Sequence, residues 1–170
     1  MLDDAPMDAD DLGGLDGLLR RVDPDRWLSS RFIGDPAIRE DVLAIYAYDH
    51  ELARAPRVAS NPLIGEIRLT WWREVLDEVF EGRTVRGHPT AQALAAVTQR
   101  HKLPRQPLEA MIDARYRELD AAPMSANELL DWARDTGGLA AQLAAQVLDP
   151  ATDAKLALAR RLGAQVTVNA

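Results

Sequence analysis

An all-α fold is predicted for this chain of 170 residues by three observations. Apolar residues recur at three- and four-residue steps, most clearly at Ile64, Ile67, Trp71, Val75 and Val79. Good N-cap residues stand directly before prolines at Asp23-Pro24, Asp35-Pro36, Asn61-Pro62 and Asp149-Pro150; each marks a helix start, because proline at the first helical position sacrifices no hydrogen bond. No segment alternates apolar and polar residues over a useful length, so no strand is expected.

In chain order, Met1 to Asp11 carries Asp3, Asp4, Asp8, Asp10 and Asp11 without an apolar face, the pattern of an acidic, disordered, solvent-facing tail over residues 1–14. Gly13-Gly14 separates it from a short apolar segment, Leu15 to Val22, and from a single helical domain over 15–170. The caps then place helices near 24–33, 36–55 and 62–81. The helix over 36–55 should bury Ile38, Val42, Ile45, Tyr46 and Leu52, with Asp49 on the same apolar line. An unpaired charge there is expensive, so Asp49 should meet a cation, and Arg68 of the next helix is the expected partner. The helix over 62–81 should bury Ile64, Ile67, Trp71 and Val75, flanked by Trp72, Leu76 and Phe80, and should expose Glu66, Arg73, Asp77 and Glu78. Arg68 falls on its apolar side, where it either packs its stem and snorkels or holds an anion in a helical cavity.

The remaining helices are expected near 89–101, 107–120, 125–147 and 151–168. The first ends in Arg100, His101 and Lys102, which complement the helix dipole. In the second, Leu108, Met111, Ile112, Arg115 and Leu119 define an inner side, and Arg117 should pair with Asp113 one turn away. The third starts at the capping box Ser125 to Glu128 and contains Gly137-Gly138. Two mid-helix glycines cost about 2 kcal/mol relative to alanine, so a kink, or a close approach of another backbone or of an apolar ligand, should require them. The chain ends at Ala170 inside its last expected helix, which has the look of a truncation.

Composition excludes several classes. A net charge of −7 without a clustered basic face argues against nucleic-acid binding. Zero cysteines remove disulfides and thiolate metal sites, and no two histidines have metal-ligand spacing. With no apolar signal segment near Met1 and no run of about 18 apolar residues, a cytoplasmic protein is expected, with room for contact at a membrane surface.

The order SSRF (Ser29 to Phe32), Arg39, LAIYAYDHELAR, RLTWWREVLDEVFEG, LEAMIDARYRELD and WARDTGGLAAQL resembles the squalene/phytoene synthase family over about Asp23 to Val168. The resemblance is closest to a branch that includes bacterial proteins of unassigned role and mitochondrial complex I assembly factors. It implies an isoprenoid-synthase-like helical bundle, here incomplete at the C-terminus, around a cavity for prenyl chains. In active members two aspartate-rich motifs hold Mg²⁺ against diphosphate groups. The first, R-x-x-D-D-x-x-D, would place its acids at Ala53, Arg54 and Arg57, none of which is acidic. The resemblance therefore implies a non-catalytic interaction or assembly protein needing no cofactor. Two alternatives are an active prenyl-diphosphate transferase using Mg²⁺ and a metal-free isoprenoid or lipid carrier. In the binding versions, Arg54, Arg57 and Arg68 would hold an anionic headgroup, with Tyr46, Tyr48 and Trp71 lining an apolar tunnel and Asp49 beside them. An uncovered apolar helix face should also promote self-association.

Overall fold

The computed structural model describes residues 13–57, 61–149 and 153–169, and these contain helices and no strand. The acidic tail and the helix start expected at Pro150 lie outside the described residues. Helices α1 (Gly14–Val22) and α2 (Pro24–Ser30) precede the central α3 (Pro36–Arg57), followed by α4 (Pro62–Phe80), α5 (Pro89–His101) and α6 (Arg105–Tyr116). A 3₁₀ turn, Arg117–Leu119, continues α6. Helix α7 (Ala126–Ala133) passes through a π-helical turn, Arg134–Gly138, into α8 (Leu139–Leu148), and α9 (Asp153–Asn169) follows.

The expected caps form. The Asp23 and Asn61 side chains accept hydrogen bonds from the Arg26 and Ile64 amides, at 3.1 Å each. Ser125 and Glu128 close the reciprocal capping box. Each cap contributes about 1 kcal/mol and fixes where its helix begins.

Helix α3 runs through the centre, packed by α1, α4, α5 and α8. Val42, Ile45, Tyr48 and Leu52 share the core with Leu69, Trp72, Leu76, Leu94, Leu108, Met111 and Leu143. Tyr48 is fully enclosed; its hydroxyl donates to the Leu108 carbonyl at 2.9 Å, and its ring stands edge-on to Trp72 with centroids 5.3 Å apart.

Helix α4 is rotated from the expected orientation. It buries Gly65, Leu69, Trp72, Val75, Leu76 and Val79, whereas Ile67 is exposed and Ile64 half-buried. Gly65 lies on the buried side, where a Cβ would meet the end of the Leu119 side chain at 2.5 Å and the α3 backbone at Ala55 and Pro56 at an ordinary 3.5 Å. Counting large apolar residues alone pointed to the neighbouring face. Glu78, expected in solvent, is buried and holds Arg86.

The paired glycines are explained by α9. The Gly163 position lies against the Gly137 carbonyl, and a Cβ on Gly163 would come within 2.5 Å of that oxygen and 2.6 Å of the Ala141 methyl. A Cβ on Gly138 would lie 2.8 Å from the Arg160 carbonyl. Two backbones therefore approach more closely than side chains permit, at a π-helical turn that widens the helix locally.

Candidate functional site

The strongest charge arrangement in the interior is built on Asp49. Its position on the apolar line of α3 points it inward, where it is 5% exposed. One oxygen accepts from Arg26 of α2 at 2.8 Å and the other from Arg115 of α6 at 2.9 Å. Arg115, 4% exposed, also donates to Glu118 at 2.7 Å, and Glu118 accepts from the Trp132 indole at 2.9 Å. The guanidinium of Arg115 lies 5.5 Å from the centre of the Trp132 ring. A chain of alternating charges thus links α2, α3, α6 and α7.

The two cations decide the state of Asp49. Burial pushes its carboxyl upward, but Arg115 and Arg26 outweigh burial and hold it below the ordinary carboxylate range. Arg26 is held above its usual value: burial works against the charge, and the Asp49 carboxylate overcomes it. Asp49 is therefore an ionised structural anion with both oxygens committed. The expected Asp49–Arg68 pair does not form, because Arg68 lies on the exposed side of the rotated α4.

The other residues singled out in the sequence fall into two groups. Tyr46 is half-buried beside the network, with the Arg26 guanidinium 4.9 Å from its ring centre. Burial raises its phenol, and Arg26 opposes that shift. Tyr48 and Trp71 are joined through Trp72, which stands edge-on to both, and His88 packs edge-on against Trp71 and Trp72. Arg86 covers Trp71 at 5.5 Å. Arg54 pairs with Glu51 at 3.3 Å, and Arg57 is exposed at the end of α3.

Two further pairings differ from expectation. Asp113 is taken by Arg73 of α4, leaving Arg117 to Asp120 and Glu128. His101, expected only to complement a helix end, lies 2.8 Å from the buried Asp41. In each case the partner comes from another element, which spacing along one helix does not reveal.

Arg26, Glu118 and Trp132 were not singled out for the site, and Arg115 was placed only on the inner side of its helix. The available signal was that Asp49 and Arg115 both break apolar lines with opposite charges. Two buried ions of opposite sign in one small core have reason to meet.

A divalent cation does not fit these residues. Mg²⁺ requires oxygen ligands at about 2.0–2.1 Å in near-octahedral geometry. The positions corresponding to the family's first acidic motif hold a methyl group at Ala53 and guanidinium groups at Arg54 and Arg57. Of the nearby acids, Asp49 has both oxygens engaged and Glu51 faces Arg54. Among the described residues no group of three or more His, Cys, Asp or Glu side chains is arranged to hold a metal. Nor is any described helix long and apolar enough to cross a membrane.

Residues 19–167 match the family model described as squalene/phytoene synthase. The chain is also similar to NADH dehydrogenase (ubiquinone) complex I, assembly factor 6: 28% identity over 132 residues to the Bos taurus protein and 31% over 133 residues to that of Rattus norvegicus. Each alignment covers 77% of this chain and 39% of the relative, so the chain spans about two fifths of the length of these proteins. No solved structure matches significantly. The match to the family model extends from α1 through α9, and the chain belongs to the squalene/phytoene synthase family.

Proposed function

We propose that this protein is a non-catalytic member of its family that acts by binding other components, in the assembly of a respiratory NADH dehydrogenase. We read residues 15–170 as one domain that works in the cytoplasm or at a membrane surface. The observation that carries this reading is the charge of α3. Where the family chemistry needs carboxylates one helical turn apart, α3 presents Ala53, Arg54 and Arg57, and its inward acid, Asp49, is neutralised by Arg26 and Arg115. At 4 Å, two like unit charges repel by about 4 kcal/mol at an effective dielectric of 20, so Arg54 and Arg57 would oppose a cation in addition to failing to ligate it.

The similarity to proteins named as complex I assembly factors supports the assembly part of the reading. The test is incubation of the purified chain with farnesyl or geranylgeranyl diphosphate and Mg²⁺, following release of inorganic diphosphate. The reading expects no release above a protein-free control. Release that scales with protein concentration would establish a prenyl-transferring or diphosphate-cleaving enzyme instead.

A further inference from the structure

Helices α1 and α2 rest on a hydrophobic cluster of their own. Leu18 and Leu19 of α1 are buried against Leu43 and Ala47 of α3, apart from the main core, and Trp27 of α2 packs on the same cluster. Leu15 and Tyr46 border both clusters. Within α2 the buried residue is Ser30, whose hydroxyl donates to the Trp27 carbonyl of its own helix.

The two helices are tied to each other. The Trp27 indole donates to Asp16 of α1 at 3.2 Å, and Arg31, just past the end of α2, donates to the same carboxylate. Arg20 and Arg31 lie 5.3 and 4.8 Å from the centre of the Trp27 ring. Among the described residues, one ion pair joins either helix to the charged network of the core: Arg26 to Asp49 at 2.8 Å. That pair is asymmetric. The Arg26 side chain is 28% exposed, whereas Asp49 holds Arg115 at 2.9 Å with its other oxygen, out of reach of water. Withdrawing Arg26 returns a cation to solvent and leaves Asp49 still neutralised by Arg115, so it strands no unpaired buried charge.

The backbone has a break between α2 and α3. The Phe32 and Ile33 amides bond back to the Ser29 and Ser30 carbonyls, while the Asp35 carboxylate accepts from the Ala37 amide and opens α3. Gly34 stands between these two sets, with no heavy atom beyond its chain neighbours within 4 Å of the place a Cβ would take. Across the break, the Arg39 guanidinium donates to the Ile33 carbonyl at 2.7 Å.

We propose that α1 and α2 form a strap over α3 that opens as one unit about Gly34, with Arg26–Asp49 as its latch and Arg115 holding the latch acceptor in place. Opening uncovers Leu43, Tyr46 and Ala47 of α3 and one oxygen of Asp49. A segment resting on a satellite cluster opens at lower free energy than the core and does so cooperatively. The inference is independent of whether the protein is catalytic.

Amide hydrogen exchange, followed residue by residue by NMR over a series of sub-denaturing urea concentrations, tests it. In the wild type, Leu19 and Arg21 of α1 and Leu28 and Ser30 of α2 should share one urea-dependent opening constant, at least about tenfold larger than that of Tyr48, Leu69 and Met111. Arg26→Met should raise that constant by the same factor, about tenfold, in both helices. Val75→Ala, in the core of α4, should accelerate exchange at Leu69 and Met111 and leave α1 and α2 unchanged, because the core stays folded when the strap opens. Exchange in α1 and α2 without urea dependence would overturn the proposal, since it is fraying residue by residue. So would a response of α2 alone to Arg26→Met, or acceleration of the strap and the core alike by Val75→Ala, which makes the protein a single unit. The wild-type urea series decides between unit opening and fraying even if neither variant folds.

Discussion

The Asp49 carboxylate and the Arg115 guanidinium meet at 2.9 Å with exposures of 5% and 4%, joining residues 66 positions apart in the chain. Removing one partner of such a pair leaves an uncompensated buried charge, which typically costs about 3–5 kcal/mol. Asp49→Ala should therefore destabilise the fold by that order in urea denaturation. Arg115→Met, combined with Asp49→Leu, should recover only part of the loss, because the double replacement removes two buried ions but leaves Arg26 and Glu118 without these partners.

The same pair sets an acid limb. Asp49 has its folded-state pKa depressed, so its contribution to stability is fully present above the unfolded carboxylate value of about 4 and is lost as pH falls through the lower folded value. Wild-type stability should fall across that window. Asp49→Asn should be less stable at neutral pH and should show a shallower decline below about pH 4, measured as urea midpoints over a pH series.

These residues also show how far sequence could lead. The helix starts at Asp23, Asn61 and Ser125 depend on groups within three residues of one another, so local chemistry was enough to find them. Asp49's need for a cation was equally visible. Its partners were not, because Arg26 and Arg115 arrive from helices 23 and 66 residues away and their meeting depends on how α2, α3 and α6 pack. The α4 face was misplaced for a related reason. Gly65 contributes nothing to an apolar count, yet it lies on the buried face with Leu69 and Trp72, while Ile67 and Arg68 face outward.

Glycine positions give a contrast between two approaches. Gly163→Ala would drive a methyl group to 2.5 Å from the Gly137 carbonyl and 2.6 Å from the Ala141 methyl, neither of which can rotate away. A loss of about 1–3 kcal/mol is expected. Gly65→Ala meets mainly the end of the Leu119 side chain, which can change rotamer, and it gains up to about 1 kcal/mol of helix propensity. Thermal unfolding should show a clearly lowered midpoint for Gly163→Ala and little change for Gly65→Ala.

Tyr48 tests the core beside the network. Its hydroxyl is enclosed and donates to the Leu108 carbonyl at 2.9 Å, and burial raises the phenol well above its ordinary value, with the Asp49 charge adding to the shift. Tyr48→Phe leaves that carbonyl without its donor and should cost about 1–2 kcal/mol by chemical denaturation, with the fold retained.

The proposed non-catalytic reading rests on α3, which carries Arg54 and Arg57 near its end and an inward Asp49 neutralised by Arg26 and Arg115. A thermal-shift titration with a non-hydrolysable farnesyl diphosphate analogue, with and without Mg²⁺, tests it most directly. A specific ligand at one hundred times its dissociation constant would stabilise the fold by about 2.7 kcal/mol, readily seen as a raised melting temperature. The account predicts that Mg²⁺ adds no stabilisation to any seen with the analogue alone. A shift that requires both Mg²⁺ and the analogue would contradict it, since a metal–diphosphate site would then exist despite Ala53, Arg54 and Arg57.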